Sequence, residues 1–181
     1  MGMKKGNVGQ ALKELRGDQT QLELSLEVGV CRETISAYET ERAKIPPDIS
    51  RKLVKMKDDA WFVMALRHQY TGTGPLRLDG EKVDLHRASV KDSVMEELEE
   101  ASEAIRKVKL ANKLKFLSAW EKNELIESLV QLVDVITGIE HFLAVICEEA
   151  EISYRGVWEK HYKKLISRGY ASKDQLNGVE L

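Results

Sequence analysis

Apolar residues recur at steps of three and four through most of this 181-residue chain, and this period is the feature that most constrains its fold. A helix completes one turn every 3.6 residues, so this spacing places apolar side chains on one helical face. Aromatic residues make up only 6% of the chain, and only three residues are proline. The pattern therefore predicts an all-α protein, with four to five N-terminal helices followed by a C-terminal antiparallel helical bundle.

The predicted helices fall into two groups. They cover residues ~5–16, ~20–28, ~31–39, ~47–70, ~91–109, ~121–150 and ~153–168, with a further short helix at ~110–118. Between the groups, Thr71-Gly72-Thr73-Gly74-Pro75 interrupts the period. Residues 76–85 alternate around Asp79-Gly80, which is typical of a short hairpin or of an irregular tether. We predict domains at residues 1–70 and 91–181, joined by a linker at 71–90.

Charge and hydropathy limit the partners and the location of the chain. The formal net charge is −2, so any attraction to nucleic acid must come from a local basic patch. No apolar signal segment follows Met1, and the most apolar stretch, Leu129–Ala150, contains Asp134 and Glu140. We therefore expect a cytoplasmic protein with no membrane segment.

Residues 20–39 combine two short helices with a glycine between them. Thr20 is a competent helix cap, and Gly29 can adopt the positive φ of a tight corner. In the second helix, Ile35 and Tyr38 are expected to face inward, whereas its charged and small residues, Arg32, Glu33, Ser36 and Ala37, face outward. Two such helices at a fixed angle could place the second one in the major groove of DNA. Any helical hairpin has a similar glycine and similar apolar positions, so spacing alone does not decide between a DNA-binding element and an ordinary hairpin.

The order of residues adds a resemblance. Leu12-Lys13-Glu14-Leu15-Arg16, Thr20-Gln21, Gly29-Val30 and Thr34-Ile35-Ser36-Ala37-Tyr38-Glu39 resemble the Cro/repressor-type (XRE) helix-turn-helix family over residues ~6–60. The resemblance implies binding of a double-stranded DNA operator. It also implies a homodimer or higher homo-oligomer, because one such unit covers only one half-site. Glu41 departs from the family, which has glycine there.

The resemblance also implies roles for individual residues. Gln21 would contact a phosphate and support the recognition helix. Arg32 and Glu33 would reach base edges, where arginine favours guanine and glutamate favours cytosine. The full implied DNA-binding set is Thr20, Gln21, Arg32, Glu33, Thr34, Ser36, Arg42 and Lys44.

The second group of helices carries a pattern of carboxylates. Glu97 and Glu100 flank the apolar stripe of helix ~91–109. Helix ~121–150 is apolar around most of its circumference, which is typical of a central bundle helix or an oligomer interface, and its polar stripe includes Gln131 and Asp134. If the two stripes face each other, these oxygens converge and could hold Mg²⁺. The alternative is a solvated acidic face.

This segment resembles, remotely, the MazG-like all-α nucleoside triphosphate pyrophosphohydrolases over residues ~91–171. The resemblance rests on Glu-Glu-x-x-Glu at 96–100, the helix ending its acidic motif at Asp134, and the tail around Arg168. It implies a magnesium site at Glu97, Glu100, Gln131 and Asp134. Gln131 stands where the family has a carboxylate, and the missing charge should weaken metal binding and catalysis.

A basic row completes the sequence features. Lys160, Lys164 and Arg168 recur at four-residue steps, either complementing a helix dipole or binding phosphates. We expect the C-terminal segment to serve as a dimerisation domain that senses a nucleotide or protein effector, without efficient chemistry and with no catalytic residue assigned. The favoured function is a sequence-specific transcriptional regulator, a prophage-type repressor. The alternatives are a magnesium-dependent nucleoside triphosphate pyrophosphohydrolase and a protein-interaction regulator that does not bind DNA.

Overall fold

The computed structural model describes residues 8–108, 110 and 113–176, and within these residues it contains helices and no strand. The α-helices are α1 Val8–Arg16, α2 Gln21–Val28, α3 Arg32–Glu39, α4 Pro47–Lys57, α5 Ala60–Thr71, α6 Arg87–Lys107, α7 Ala119–Glu149 and α8 Tyr154–Ser167. Short 3₁₀ helices lie at Leu114–Phe116 and Lys173–Leu176. The all-α prediction is confirmed. The predicted start of the first helix, near residue 5, lies outside the described residues.

Helices α1 to α5 pack around one core. Leu12, Leu24, Ile35, Leu53 and Phe62 are all fully buried in it, one from each of the five helices. Burial of these apolar side chains accounts for how the five short helices assemble. Helices this short are marginal in isolation, which makes the shared core the source of their stability.

The predicted single helix at ~47–70 is wrong, because the chain forms two helices there. Asp58 adopts a left-handed conformation, with φ 46, and ends α4. The carboxylate of Asp59 then accepts a hydrogen bond of 2.6 Å from the Phe62 N–H and caps α5. Aspartate readily forms such local bonds to the backbone, so the adjacent pair redirects the chain without interrupting the apolar period.

Residues 72–86 form an extended segment, here called the strap, and not a hairpin. Its turn is marked by a hydrogen bond of 2.9 Å from the Val83 N–H to the Gly80 carbonyl. The Leu78 N–H donates to Nε2 of His141 on α7 at 3.0 Å, and the Arg77 guanidinium lies 4.7 Å from the ring centre of Trp61 on α5. Because α5 and α7 bind the strap, it needs no strand partner. The irregular alternative is therefore the one observed.

Helices α6 and α7 form a long antiparallel hairpin. A Cβ on Gly138 would lie 3.2 Å from Val94, so α7 lies against α6 at this point. At the tip of the hairpin, the predicted helix at ~110–118 is reduced to the 3₁₀ turn Leu114–Phe116, while residues 111 and 112 lie outside the description. Helix α6 begins at Arg87, earlier than the predicted start near residue 91.

Helix α5 contributes to two cores. Phe62 and Leu66 lie in the core of α1 to α5, whereas Trp61 and Met64 join a second core with Ala144 of α7. The two groups of helices are therefore in direct contact. The division into domains at 1–70 and 91–181 stays a prediction.

Helix α7 also passes a test for membrane spans. Its 31 residues include a window with mean hydropathy 1.8, of which 28% is buried, so by length and composition alone it could cross a bilayer. A core helix of a soluble protein can pass the same test. The expected absence of a membrane segment thus stays a prediction.

Candidate DNA-binding surface

The corner between α2 and α3 is built from local backbone chemistry. Thr20 and Glu23 form a capping box: the Thr20 hydroxyl accepts from the Glu23 N–H at 3.2 Å, and the Glu23 carboxylate accepts from the Thr20 N–H at 2.6 Å. These hydrogen bonds from Thr20 lower the pKa of Glu23. Gly29 ends α2 at φ 82, a conformation that glycine adopts without steric cost. The two helices are thus distinct, as predicted, and do not merge into one rod.

Helix α3 buries one side and exposes the other. Ile35 is 0% exposed and Tyr38 is 6% exposed, as the apolar spacing predicts. The side chains of Arg32 and Glu33 are exposed by 56% and 76%. Ala37 is half-buried. The N-terminal half of α3 therefore presents its charged side chains to solvent.

A partly buried ion pair fixes α3 against α1 and α2. The Arg16 Nε donates to Glu39 at 2.5 Å, and the Gln21 amide donates to the same carboxylate at 2.8 Å. Burial alone would raise the pKa of Glu39, but the hydrogen bonds from Arg16 and Gln21 outweigh it and lower this pKa. We call these three residues the clamp. Its members come from three helices, so it holds α3 at a set angle.

The predicted DNA-binding residues occupy two sites near α3. Arg32 and Glu33 lie at its N-terminus and form an exposed ion pair at 3.6 Å. At the other end, the Arg42 guanidinium donates to Thr40 at 3.0 Å and to Ser36 at 3.4 Å. The remaining predicted residues are the exposed Thr20 and Lys44 and the half-buried Gln21, Thr34 and Ser36.

At least four of these side chains already have partners in the described part of the chain. The Thr20 hydroxyl bonds to Glu23, and the Ser36 hydroxyl accepts from Arg42. The Gln21 amide is in the clamp and so contacts α3. The Thr34 hydroxyl lies 3.0 Å from the Cys31 sulfur. Their contacts to phosphate or base stay predictions.

In the turn after α3, a residue other than glycine adopts a backbone conformation that is typical of glycine. Glu41 has φ 56, in the left-handed region that glycine reaches most easily. The Glu41 carboxylate accepts a bond of 3.4 Å from the Gly9 N–H at the start of α1. The turn therefore carries a negative charge one residue before Arg42 and three residues before Lys44 in the chain.

Sequence reasoning missed the residues that support α3 from its packed side. Arg16 and Glu39 were not singled out as a pair, because 23 residues separate them. Gly9 was missed as well, although it allows α1 to approach the end of α3: a Cβ there would lie 2.6 Å from the Glu39 carbonyl oxygen. The available signal for the ion pair was an arginine and a glutamate on different helices. Many other arginine–glutamate combinations in this chain fit the same description, so the signal does not single out this pair.

The carboxylate stripes of α6 and α7 face each other in part. Burial raises the pKa of Glu97, and the negative charges of Asp134, Glu100 and Glu96 raise it further. The buried Oε1 of Gln131 has no hydrogen-bond partner among the described residues. Within that part of the chain, no group of three or more His, Cys, Asp or Glu side chains could hold a metal ion. The magnesium site at Glu97, Glu100, Gln131 and Asp134 stays a prediction.

The basic row lies far along the chain from α3. Lys160 and Lys164 are exposed on α8, and the exposed Arg168 caps its C-terminus. Cations at this end of a helix complement its dipole. Binding of phosphates by this row stays a prediction.

Comparison with known proteins adds no relative to this geometry. No protein-family model, no curated protein and no solved structure matches the chain. The resemblances of residues ~6–60 to XRE proteins and of ~91–171 to MazG-like enzymes therefore stay predictions. The function has to be inferred from the residues and their arrangement.

Proposed function

We propose that this protein is a sequence-specific DNA-binding regulator of transcription, of the repressor type, that acts as a homodimer in the cytoplasm. The observation that supports it is the presentation of α3: its inner side is buried and clamped, and its N-terminal half exposes Arg32 and Glu33. A helix of about 10–12 Å diameter fits a major groove about 12 Å wide. With α3 in the groove, the side chains of its N-terminal half contact the base edges.

Each exposed residue has a role in this proposal. Arg32 donates two hydrogen bonds to a guanine, and Glu33 accepts one from a cytosine. Their ion pair is exposed, so separating them on DNA costs less than about 1 kcal/mol. Arg42 and Lys44 contact the phosphates that flank the reading helix.

The mixed charges around α3 limit the affinity for the DNA backbone, so that base contacts contribute more to binding than phosphate contacts do. Glu33 and Glu41 oppose the approach of phosphates, and Arg42 and Lys44 favour it. With so few phosphate contacts, we expect a shallow dependence of affinity on salt, about 0.9 in log–log slope for each phosphate neutralised.

Selection of bound sequences from random DNA tests the proposal directly. The full-length protein should enrich an inverted repeat whose half-sites are about one helical turn, or roughly 34 Å, apart. Enrichment of no sequence at low salt would overturn the proposal. A stable complex with another protein, found together with that result, would favour the interaction-regulator alternative.

Variants then test the reading residues on the selected site. Arg32→Ala should weaken specific binding about 10- to 100-fold, since a bidentate arginine–guanine contact contributes about 1–3 kcal/mol of discrimination. Lys44→Ala should weaken binding to specific and random DNA alike and lower the salt slope. Arg106→Ala on the exposed side of α6 is the matched control and should bind normally. Unchanged affinity of Arg32→Ala at fixed salt would remove Arg32 as a reader.

A further inference from the structure

The far end of the α6–α7 hairpin carries a cluster of exposed apolar side chains. This end, here called the tip, comprises the described residues from Arg106 to Lys122. Four of its large apolar side chains are exposed by between 46% and 73%: Leu110, Leu114, Phe116 and Trp120. Single exposed apolar residues are common on a protein surface, whereas a cluster of them is typical of a site that binds a protein or a membrane.

The same tip is strongly basic. Its described residues include five exposed cations and one carboxylate: Arg106, Lys107, Lys113, Lys115, Lys122 and Glu121. The Glu121 carboxylate accepts a hydrogen bond of 2.8 Å from the Ser118 N–H, within the capping box that begins α7. The whole chain has a formal net charge of −2, so the tip is a local positive surface on a slightly acidic chain.

Lysines interleaved with aromatic and aliphatic side chains are typical of a peripheral membrane contact. Tryptophan and phenylalanine prefer the boundary between headgroups and acyl chains, and lysine binds anionic headgroups while its apolar stem lies along the hydrocarbon. In the tip, Lys113 and Lys115 alternate with Leu114 and Phe116. The Lys115 Nζ lies 4.8 Å from the ring centre of Phe116, so a cation and an apolar ring are presented side by side.

The position of the tip allows a shallow contact with a surface. Along α7, Trp120 precedes Glu140 by twenty residues, or about 30 Å, and Glu140 is paired with Arg67 of α5. The tip and the contact with α5 therefore lie at opposite ends of α7. The exposed carboxylates of Glu103 and Glu124 follow directly behind the tip, and they limit its depth because ionised side chains are costly in hydrocarbon.

Nucleic acid is the other polyanion that the cations of the tip would attract, and the apolar part of the tip argues against it. Contacts to duplex DNA come mainly from charged and polar groups, so they would leave Leu110, Phe116 and Trp120 exposed to water. An anionic lipid surface binds both kinds of side chain, because its headgroups are charged and its acyl chains are apolar.

We propose that the tip of the α6–α7 hairpin docks on the surface of an anionic lipid bilayer. Phe116 and Trp120 enter the boundary between headgroups and acyl chains, and the lysines bind the lipid phosphates. The contact is peripheral and reversible, since one small apolar cluster with five cations is far weaker than a transmembrane anchor. This proposal goes beyond DNA binding and does not depend on it.

Flotation of the full-length protein with vesicles tests the proposal. The wild-type chain should bind vesicles of equal parts phosphatidylcholine and phosphatidylglycerol, and it should bind pure phosphatidylcholine at least about tenfold more weakly. Each lysine near an anionic surface raises the affinity about fivefold. Raising the salt from about 0.1 M to about 0.5 M should weaken the binding, because it shortens the Debye length. No binding to the anionic vesicles at low salt would overturn the proposal.

A pair of serine substitutions tests the apolar part of the tip. Phe116→Ser/Trp120→Ser should weaken binding to the anionic vesicles at least about tenfold, because two exposed rings are lost. Leu22→Ser/Leu26→Ser is the matched control, since these α2 side chains are exposed by 54% and 72%, and it should bind as the wild type does. Unchanged binding of the tip variant would show that another surface meets the lipid, and the proposal would be wrong.

A pair of charge reversals tests the basic part. Lys113→Glu/Lys115→Glu should weaken binding to the anionic vesicles at least about 25-fold, as two cations are lost. Lys82→Glu/Lys91→Glu makes the same change of net charge at exposed positions outside the tip and should weaken binding less than about threefold. A wild type that binds no vesicle, with a tip variant that loses affinity for random duplex or single-stranded DNA, would replace the bilayer by nucleic acid.

Tryptophan fluorescence locates the contact on the chain. Trp120 is 67% exposed, whereas Trp61 is 6% exposed and Trp158 is half-buried, so Trp120 should dominate any change on binding. Emission should shift to shorter wavelength with the anionic vesicles and be quenched by brominated lipids. Trp120→Phe should bind within about threefold of the wild type and lose both responses. It also keeps the test decisive if circular dichroism shows that a double variant fails to fold. A shift that persists in Trp120→Phe would contradict docking through the tip.

Discussion

Gly9 decides how closely α1 can approach the end of α3. A Cβ at this position would lie 2.6 Å from the Glu39 carbonyl oxygen and 2.9 Å from that of Tyr38. Both neighbours are backbone atoms of a helix, so they cannot rotate away as a side chain would. The absence of a side chain at residue 9 is therefore required by the contact and not by the turn chemistry of glycine.

Gly9→Ala should reverse the usual sign of a glycine-to-alanine change in a helix. Alanine normally stabilises a helix by about 0.5–1 kcal/mol relative to glycine. Here the overlap should outweigh this gain and destabilise the fold by about 1–3 kcal/mol. Urea unfolding measures the difference, with Lys13→Ala on the exposed side of α1 as the control, expected within about 0.5 kcal/mol. A more stable Gly9→Ala protein would contradict the close approach.

At the scale of the helix, the clamp should make the stability of the fold depend on pH. The Glu39 side chain is only 5% exposed and that of Arg16 is 13% exposed, so the pair lies largely out of water. The hydrogen bonds from Arg16 and Gln21 leave the pKa of Glu39 below its usual value despite burial. The folded state therefore prefers the ionised carboxylate.

The sign of the pH effect follows from this preference. The contribution of Glu39 is fully present above its unfolded pKa of about 4.3 and is lost as the pH falls through the lower folded value. Glu39→Gln should lower the free energy of unfolding at neutral pH by about 1–3 kcal/mol, because Arg16 keeps its charge without a counterion. The acid limb of the stability curve should also become flatter.

Chemical unfolding between about pH 6 and pH 3 measures both effects. Glu33→Gln is the matched control, since Glu33 lies on the same helix with 76% of its side chain exposed. Equal acid sensitivity of wild type and Glu39→Gln would show that the clamp does not carry the effect.

At the scale of the whole molecule, one partly buried hydrogen-bond network joins the two groups of helices. The Arg67 guanidinium of α5 donates to Glu140 of α7 at 2.5 Å and to the Tyr154 hydroxyl of α8 at 3.0 Å. The Tyr154 hydroxyl in turn donates to Glu140 at 2.9 Å. Helix α5 therefore contacts α7 and α8 through polar side chains as well as through the second core.

The strap adds a second connection, which depends on a neutral histidine. Nε2 of His141 accepts the Leu78 N–H, and Nδ1 lies 2.8 Å from the Thr137 carbonyl oxygen. A backbone amide can only donate and a carbonyl can only accept, so the proton is on Nδ1. Burial lowers the pKa of His141, and the nearby Arg77 charge lowers it further, against the hydrogen bond to Thr137.

We expect this contact to weaken at mildly acidic pH. Because the folded pKa of His141 is below its unfolded value of about 6.5, its contribution is present above that pH and is lost as the pH falls toward the folded value. His141→Gln keeps an acceptor for Leu78 without titrating. It should reduce the loss of stability measured between about pH 7 and pH 5. His161→Gln on exposed α8 is the control, and an unchanged slope for His141→Gln would contradict the assignment.

Much of the local structure was predictable because its causes are local. The apolar period predicted most of the helices and the inward positions of Ile35 and Tyr38, and the glycine at residue 29 predicted the corner. The division at Asp58-Asp59 was missed because the apolar period continues through it, and only the capping bonds mark the break. The strap was ambiguous, since its alternation fits a strand but its partners are on distant helices.

The sequence by itself determined the all-α architecture and the helix–corner–helix element, because periodicity and capping act within a few residues. Only the tertiary structure decided which charges meet, as Arg16 with Glu39 and Arg67 with Glu140. It also decided which side of α7 remains open, since both sides are apolar in the sequence and only packing against α6 distinguishes them. Contacts between distant residues depend on how whole helices pack, and no short-range pattern encodes that choice.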